Sequence, residues 1–593
     1  MGEDLEIASH RSLRLGDFVL ELDEPELRRD GAPVEIHATP LRLLVALAER
    51  AGRVISKQDL SDTVWPGVTV SDASIATALR ELRFVLGDDG REQRIIETLR
   101  NRGYRLRQPR SSDRKAPARE NRIDTLAERG SADEPTGNIA LLMGLGASLL
   151  EAGQRDESRR AYREAAGVAR QAGDDGAFVR ATLAFAGDLL NTETVVKSAE
   201  VATLLEEAIT REGSAFPAER ARLRARLAIN LVWTRHDEAV ALAHEAGVLA
   251  REIGDPDLLS EVLYDVYWAS WSPDNVAERL ALAQEMIDAA KRADNASALG
   301  FGHLFEAAAR LETGDRSRAE GSMMQGYDQL VESGANGIRV GKASWRACIA
   351  LLDGRFGEAE RFAKAALEWS EPLVSGSAGL IYAMQIAWLR IDQGRGLELA
   401  PFVREFAGEL PLLRAGVALV HCEVGDLKTA RMNFIALMDG FEMLPRDSFW
   451  LGTLTVLAEV AVKLADPANA ARLHEALLPF EAHCALLGIR SACRGSVALY
   501  LGLLARTAER PDAVVPHLEI AMRVNTRLRA LPLLARTQLE LAHALADRKD
   551  AGDGQRARSL LAECSELYRG LGLDVHNAEI AELSTRLEQD ASR

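Results

Sequence analysis

Hydrophobic positions recur with helical spacing over most of this 593-residue chain. From residue 137 to residue 590, apolar residues return every three or four positions between polar ones, which is typical of amphipathic helices that bury one face. Residues 13–36 differ, because their short β-prone runs are broken at 23–25 and at 30–31, and they predict an antiparallel sheet. We therefore expect a mainly α protein with a small α+β domain at its amino end.

One predicted helix near the amino end combines a narrow apolar face with a polar one. Ser71 or Asp72 can cap its first turn, since either side chain can accept from a free backbone N–H. The opposite face carries Thr77 and Arg80, which can both form hydrogen bonds, and Arg83 lies at its flank. Such a helix fits the major groove of duplex DNA, where base edges present donors, acceptors and thymine methyl groups. The apolar face consists of Ile75, Leu79, Leu82 and Leu86.

Two β-prone runs, 95–99 and 104–106, follow this helix with Asn101 and Gly103 close to the turn between them. This pattern predicts a β-hairpin. Arg100 and Arg102 would lie at the tip of the hairpin, where arginines can enter a minor groove or bind phosphates. A helix followed by an arginine-tipped hairpin is the outline of a winged helix-turn-helix domain.

Three sequences, VWPGVTVSD from residue 64, ALRELRFVLGDD from 78 and IIETLRNRGYRL from 95, together resemble the effector domain of OmpR/PhoB-type regulators. The variant is the one found in CadC-like and HilA-like proteins, and the resemblance covers residues 11–107. It implies an amino-terminal sheet, three helices and a wing, with the third helix in the major groove. It also implies that copies associate side by side on repeated DNA sites. The expected DNA-binding residues are Ser71, Ser74, Thr77, Arg80, Arg83, Arg100 and Arg102.

Positive charge is concentrated in the segment that includes the predicted wing. The chain has a net charge of −17, yet residues 91–110 contain seven arginines and two acidic residues. A positive field confined to one segment is compatible with a small DNA-binding module in an acidic protein. Residues 108–136 lose the hydrophobic periodicity and are rich in Pro, Ser, Gly and charge, which predicts a flexible linker.

A recurring phrase marks the helical region from 137 to 590. It starts at Gly153, Gly314, Gly354 and Gly425, and a serine or alanine follows five positions later at Ser158, Ala319, Ala359 and Ala430. Comparable helix starts give Ala202, Ala239, Ala277, Ala400, Ala471, Ala513 and Ala557 the same expected role of close helix packing. Self-similarity at about 40 residues predicts stacked helical hairpins. The region resembles the long, irregular tetratricopeptide-like repeats of MalT-type regulators, which implies an α-solenoid.

The densest aromatic group of the chain allows two interpretations. Three of its four members share one helix face at positions i, i+4 and i+7. As a patch on a concave solenoid surface, the group could bind a protein partner or a small-molecule effector such as a peptide or sugar. As packing between repeats, it would be buried. The group consists of Tyr264, Tyr267, Trp268 and Trp271.

Other chemistry lacks a sequence signal. The chain contains no Gly-x4-Gly-Lys-Ser/Thr phosphate loop and no nucleophile–base constellation, so we expect no enzyme and no cofactor. Its five cysteines are scattered, which argues against a disulfide framework and a metal site and favours a reducing, cytoplasmic environment. No window approaches 18 uninterrupted apolar residues, so we expect no membrane span.

These observations predict a one-component transcription regulator. Its winged helix would bind a specific site on double-stranded DNA, and its repeats would bind a protein or small-molecule effector. An alternative stays open, in which the repeats form an interaction scaffold and the winged helix mediates protein contacts. It is motivated by the near balance of charge in residues 1–110 and by Glu81, which stands where relatives are often basic.

Overall fold

The computed structural model divides into two compact units, Met1–Glu128 and Arg129–Arg593. In the first unit the structure describes residues 12–15, 18–21, 26–29, 32–34, 36, 38–49, 55, 57–64, 78–79, 82–83, 85–86, 88, 95–99 and 103–106. In the second unit it describes residues 135–151, 154–187, 199–213, 216–332, 337–370, 375–402 and 410–591.

The first unit contains an antiparallel sheet, helices and a separate hairpin. Four strands pair in the order β1-β2-β3-β4: Ser12–Leu15, Phe18–Glu21, Glu26–Arg29 and Ala32–Pro33. Helices α1 and α2 span Ala38–Glu49 and Lys57–Val64. Strands β5 (Ile96–Leu99) and β6 (Gly103–Leu106) form an antiparallel hairpin. Both the amino-terminal sheet and the hairpin that the sequence predicts are confirmed.

One hydrophobic core joins these elements. Phe18 and Leu20 lie on the same face of β2 because alternate residues of a strand point the same way. The backbone is helical at residues 78–79, 82–83 and 85–86, and the apolar positions predicted there are buried. The core includes Phe18, Leu20, Leu27, Leu43, Leu44, Leu47, Ile55, Leu60, Val64, Ala78, Leu79, Leu82, Leu86, Ile96, Tyr104 and Leu106.

The second unit is helical, which confirms the predicted mainly α class. Its first helix begins at Pro135, two residues before the predicted start of the repeats. The helices in its described residues are α3 Pro135–Glu151, α4 Arg155–Ala172, α5 Asp175–Ala186, α6 Ala199–Arg211, α7 Pro217–Leu231, α8 His236–Ile253, α9 Pro256–Ala269, α10 Val276–Ala293, α11 Ala296–Glu312, α12 Arg316–Glu332, α13 Ile338–Leu352, α14 Phe356–Trp369, α15 Ser375–Asp392, α16 Pro411–Glu423, α17 Leu427–Asp439, α18 Trp450–Lys463, α19 Pro467–Leu477, α20 Val497–Thr507, α21 Pro511–Arg527, α22 Leu531–Arg548, α23 Asp553–Leu571 and α24 Asn577–Ala591. Short 3-10 turns occupy Pro273–Asn275, Gly396–Phe402, Phe441–Met443 and Leu478–Phe480.

Helices that follow one another in sequence mostly pack against one another, as in a repeat protein. The four markers that follow a glycine, Ser158, Ala319, Ala359 and Ala430, are all buried at such contacts. Ala277 and Ala400 are exposed, so the close-packing role expected for them is wrong. Ala277 is the second residue of α10 and Ala400 lies in the 3-10 turn Gly396–Phe402, so neither occupies the buried face of a helix. None of the described helices is long and apolar enough to cross a membrane.

An unpredicted hairpin interrupts the helical unit. Strands β7 (Cys484–Leu486) and β8 (Cys493–Ser496) are antiparallel and contact α11, α13, α18 and α20. The hairpin approaches α18 so closely that a Cβ on Gly452 would collide with the side chain of Leu487 and lie 2.9 Å from the carbonyl oxygen of Leu486. Position 452 therefore requires glycine.

Contacts across long stretches of sequence fold the helical unit back on itself. Arg316 donates from Nη1 to the carbonyl oxygen of Leu528 at 2.8 Å, and Arg527 donates from Nε to that of Gly314 at 3.0 Å. Arg446 and Asp274, which are 172 positions apart, form two hydrogen bonds of 2.8 and 2.7 Å. The later helices thus pack on the middle of the unit as well as on their sequence neighbours.

Candidate nucleic-acid interface

The second strand of the hairpin β5–β6 is bound to the body of the first unit. The N–H of Tyr104 donates to the carbonyl oxygen of Ile55 at 2.9 Å, and the N–H of Ile55 donates back to Tyr104 at 2.8 Å. The side chains of Tyr104 and Leu106 are buried in the core. The hairpin is therefore held as a wing beside the segment that leads into α2.

Side chains from the end of the third helical segment bind the other strand of the wing. Arg83 donates from Nη2 to the carbonyl oxygen of Ile96 at 2.8 Å and to Oγ1 of Thr98 at 2.9 Å. Asp88, which is 5% exposed, accepts the N–H of Ile96 on Oδ2 at 2.8 Å. Because both polar groups of the Ile96 backbone are bound from the helix end, helix and wing are fixed relative to each other.

A cross-strand ion pair lies on the outer part of the wing. Glu97 and Arg105 are register partners, and Arg105 donates from Nε and Nη2 to Oε2 of Glu97 at 2.9 and 2.5 Å. Both side chains are partly exposed. The positive charge of Arg105 is therefore balanced within the wing by Glu97.

The predicted DNA-binding residues fall into two groups. Arg83 is described, and its side chain is only 15% exposed because it is bound to β5; its contact with DNA stays a prediction. The others lie outside the described residues: Ser71, Ser74, Thr77, Arg80, Arg100 and Arg102. Asp88 is a functional residue that the sequence analysis does not single out. The signal that could have identified it is its place directly after Gly87, between the predicted helix and the β-prone run that begins at residue 95.

The aromatic group of the helical unit lies on the last turns of α9 and, with Trp271, directly after them, and it is largely buried. The ring of Tyr267 stacks on that of Phe305 in α11, with centroids 4.0 Å apart, and its hydroxyl donates to the carbonyl oxygen of Phe305 at 3.0 Å. Tyr264 and Trp271 are also buried, whereas Trp268 is half-buried. These contacts are those of packing between helices, so three of the four residues present no open surface to a ligand.

A buried ion pair completes this aromatic cluster. Arg279 lies with its guanidinium carbon 4.6 Å from the ring centroid of Trp271 and donates to Oε2 of Glu312 at 2.6 Å. Burial raises the pKa of Tyr267 to about 12, against the opposing effect of Arg279. In the part of the chain that the structure describes, no three His, Cys, Asp or Glu side chains are arranged to bind a metal.

Comparison with known proteins assigns the first unit. Residues 31–106 match the family described as "Transcriptional regulatory protein, C terminal". The amino-terminal unit is an OmpR/PhoB-type winged-helix DNA-binding domain. Over 101 residues it is 37% identical to the transcriptional regulator HilA of Salmonella typhi, a match that covers 17% of this chain and 18% of HilA.

Two further relatives resemble the winged-helix domain. Over 98 residues the chain is 29% identical to the transcriptional activator CadC of Escherichia coli, covering 16% of this chain and 19% of CadC. The crystal structure of the Klebsiella pneumoniae RstA DNA-binding domain in complex with RstA box is 27% identical and covers 16% of this chain and 98% of that one, at a TM-score of 0.16. The chain thus spans less than a fifth of the length of HilA and CadC.

Proposed function

We propose that this chain is a one-component transcription regulator whose winged-helix domain binds a specific duplex site and whose helical unit receives a protein or small-molecule effector. The observation that carries the proposal is the match of residues 31–106 to a family of transcriptional regulatory domains. HilA and CadC, which share this domain, are described as a transcriptional regulator and a transcriptional activator. A protein that binds chromosomal DNA in this way acts in the cytoplasm.

DNA reading divides between the helix and the wing. Thr77 and Arg80 contact base edges in the major groove, where an arginine can form two hydrogen bonds to guanine. Arg100 and Arg102 bind phosphates or the minor groove from the wing tip. Arg83 is expected to bind phosphates from the flank of the helix and has a second role, because its guanidinium also binds Ile96 and Thr98 and so holds the wing on the helix end.

The helical unit supplies the regulatory half of the proposal. It folds back on itself through buried and partly buried polar contacts such as those of Arg316 and Arg527, so a ligand bound at one point can act on helices distant in sequence. Copies of the chain bind side by side on repeated sites, and an effector shifts the population that can do so.

Selection from a random duplex pool with the full chain tests the proposal. We expect one sequence motif to be enriched over successive rounds at about 0.1 M salt. Equal recovery of all sequences would contradict the proposal and favour the alternative, in which the winged helix mediates protein contacts.

Two variants then separate base reading from phosphate binding on the enriched site. Arg80→Ala is expected to cost about 1–3 kcal/mol of binding free energy and to relax the preference at one base position. Arg102→Ala is expected to weaken binding to all sequences and to reduce the salt dependence of affinity by about one unit of slope. Arg569→Ala, an exposed arginine on α23, is the matched control and leaves both quantities unchanged.

A further inference from the structure

A half-enclosed cavity of about 80 Å³ lies inside the helical unit, open to solvent on one side. Its walls come from α15, the 3-10 turn Gly396–Phe402, α16, α18 and the segment that follows β7. On α15 the residues Ala383, Ala387 and Ile391 recur every four positions and so lie on one face. Val456 of α18 and Leu487, directly after β7, complete the lining. The cavity is thus assembled from parts of the chain that are more than 70 residues apart.

The walls of this cavity are lined by apolar side chains. Alanine, leucine, valine, isoleucine, methionine and tryptophan side chains supply them. Measured as the space open to the centre of a water molecule, like the 80 Å³ of this cavity, one water needs about 10–15 Å³ and two to four polar partners. The cavity has room for several waters but offers them almost no partners, so water is a poor occupant and an apolar group a good one.

Gly416 on α16 lines the cavity, and neither a neighbouring atom nor the backbone conformation requires a glycine at this position. A Cβ added at this position would meet no atom within 4 Å, and its backbone does not have a positive φ. Glycine inside a helix destabilises it by about 0.5–1 kcal/mol relative to alanine. Neither close approach nor backbone conformation requires glycine here, and the consequence of having no side chain is an open cavity.

We propose that this cavity binds the hydrocarbon chain or ring of a small amphiphilic effector, whose polar end stays in solvent at the open side. The inference rests on the proposed function only in naming the ligand an effector. The binding itself involves the helical unit alone and does not depend on DNA.

The position of the cavity explains how its occupancy can be sensed. Trp388, a wall residue, lies under the guanidinium of Arg494 at 3.8 Å from its ring centroid, and Arg494 belongs to β8. Arg494 also forms two hydrogen bonds to Asp392 at the end of α15, at 2.9 and 3.1 Å. A ligand that moves Trp388 or Leu487 therefore acts on the hairpin that contacts α11, α13, α18 and α20.

A pair of probes of equal length tests the proposal on the unmodified full chain. 1-Hexanol can place its alkyl end in the cavity and keep its hydroxyl in water, whereas 1,6-hexanediol would have to bury a hydroxyl without a partner. We expect 1-hexanol to change tryptophan fluorescence saturably, with a dissociation constant in the millimolar range, and to bind about tenfold or more tighter than the diol. Equal affinity for the two probes, or no saturable binding, overturns the proposal.

Filling the cavity gives a second test. Gly416→Leu is expected to weaken 1-hexanol binding at least about tenfold, because the added side chain occupies the same space. Gly321→Leu on α12 is the matched control, since a Cβ there also meets no atom within 4 Å and the position is exposed; binding should be unchanged. Wild-type affinity in Gly416→Leu overturns the proposal, and circular dichroism checks that both variants are folded.

The outcomes are independent of those of DNA-site selection. Both titrations are done without DNA, so absence of 1-hexanol binding would remove the ligand site and leave sequence-specific DNA binding intact. Conversely, a chain that enriched no DNA sequence but bound 1-hexanol would retain the site and lose the regulator. If Gly416→Leu does not fold, the comparison of 1-hexanol with 1,6-hexanediol on the unmodified chain decides.

Discussion

The wing β5–β6 and the hairpin β7–β8 are similar in length but opposite in burial. In the wing, Ile96, Tyr104 and Leu106 are buried, whereas Glu97 and Arg105, on the other face, are partly exposed. In the hairpin β7–β8 every residue of both strands is buried. The first hairpin has a polar face available to a partner, and the second has none.

Long-range contacts show what the buried hairpin does instead. Arg494 binds Asp392, which is 102 positions earlier, and Gln385 donates from Nε2 to the carbonyl oxygens of Arg490 and Ser491 at 3.0 and 2.9 Å. The contacts described for the wing are local: it is bound by Ile55, Arg83 and Asp88 of its own unit. The same local structure therefore presents a surface in one unit and holds distant helices together in the other.

The largest expected effect comes from removing the arginine of the buried hairpin. Arg494→Ala leaves the carboxylate of Asp392 partly buried without its cation, which typically costs about 3–5 kcal/mol. We expect the urea midpoint of the helical unit to fall accordingly, with DNA affinity unchanged. Arg569→Ala is the control, at about 0.5 kcal/mol or less. A loss below about 1 kcal/mol for Arg494→Ala would contradict a holding role for the hairpin.

The wing is bound in a comparable way by Asp88 at the end of the third helical segment, and loss of this contact should have a smaller effect. Asp88→Ala leaves the buried N–H of Ile96 without an acceptor, at a cost of about 1–3 kcal/mol to the first unit. Asp88→Asn keeps an acceptor oxygen and should lose less. Hydrogen exchange at the Ile96 amide measures the opening of this contact. Protection equal to that of the unmodified chain in Asp88→Ala would show that Asp88 does not hold the wing.

Acid should weaken the helical unit through a buried histidine. His474 lies with Nε2 3.0 Å from Nε2 of His517, and its pKa is lowered to about 4 by burial and by the neighbouring His517 and Arg510. The unfolded state binds this proton near pH 6.5, so stability falls as the pH drops from about 6.5 to about 4. After allowance for solvent screening we expect about 1–2 kcal/mol.

His474→Gln provides the comparison for this pH dependence. In urea midpoints measured at pH 7.5, 6, 5 and 4, the unmodified chain should lose stability more steeply than the variant as the pH falls. Parallel curves over the whole range would mean that His474 does not titrate in this window.

The smallest effect is expected for the exposed pair of the wing. Arg105→Ala removes a partly solvated ion pair with Glu97, and such pairs contribute about 0–1 kcal/mol. The melting temperature of the first unit should hardly change, and DNA affinity should change little, because the charge of Arg105 is already balanced. A large loss of affinity would show that Arg105 leaves Glu97 to bind DNA.

The same comparison explains which elements the sequence predicts. The wing shows alternation between buried and exposed positions and has turn residues at Asn101 and Gly103, and both signals are local. The buried hairpin shows no alternation, because all seven strand residues face protein, and its partners Gln385 and Asp392 are about a hundred positions away. A fully buried hairpin with distant partners leaves no short-range periodicity to detect.

The candidate DNA-binding site could likewise be predicted from the sequence only in part. The family resemblance identifies the winged helix from motifs within 43 residues of one another, and Arg83 is among them. That Arg83 and Asp88 bind Ile96 depends on the angle between helix and wing, which no spacing encodes. Likewise Gly416 is one helical glycine among several, and only the positions of α15 and α18 reveal the empty space beside it.

If the wing and its helix read DNA sequence, the full chain must distinguish the enriched duplex from a scrambled duplex of the same composition. Equilibrium binding to both duplexes at one salt concentration measures this difference. We expect a dissociation constant about a thousandfold or more lower for the enriched duplex. Equal dissociation constants for the two duplexes would contradict it.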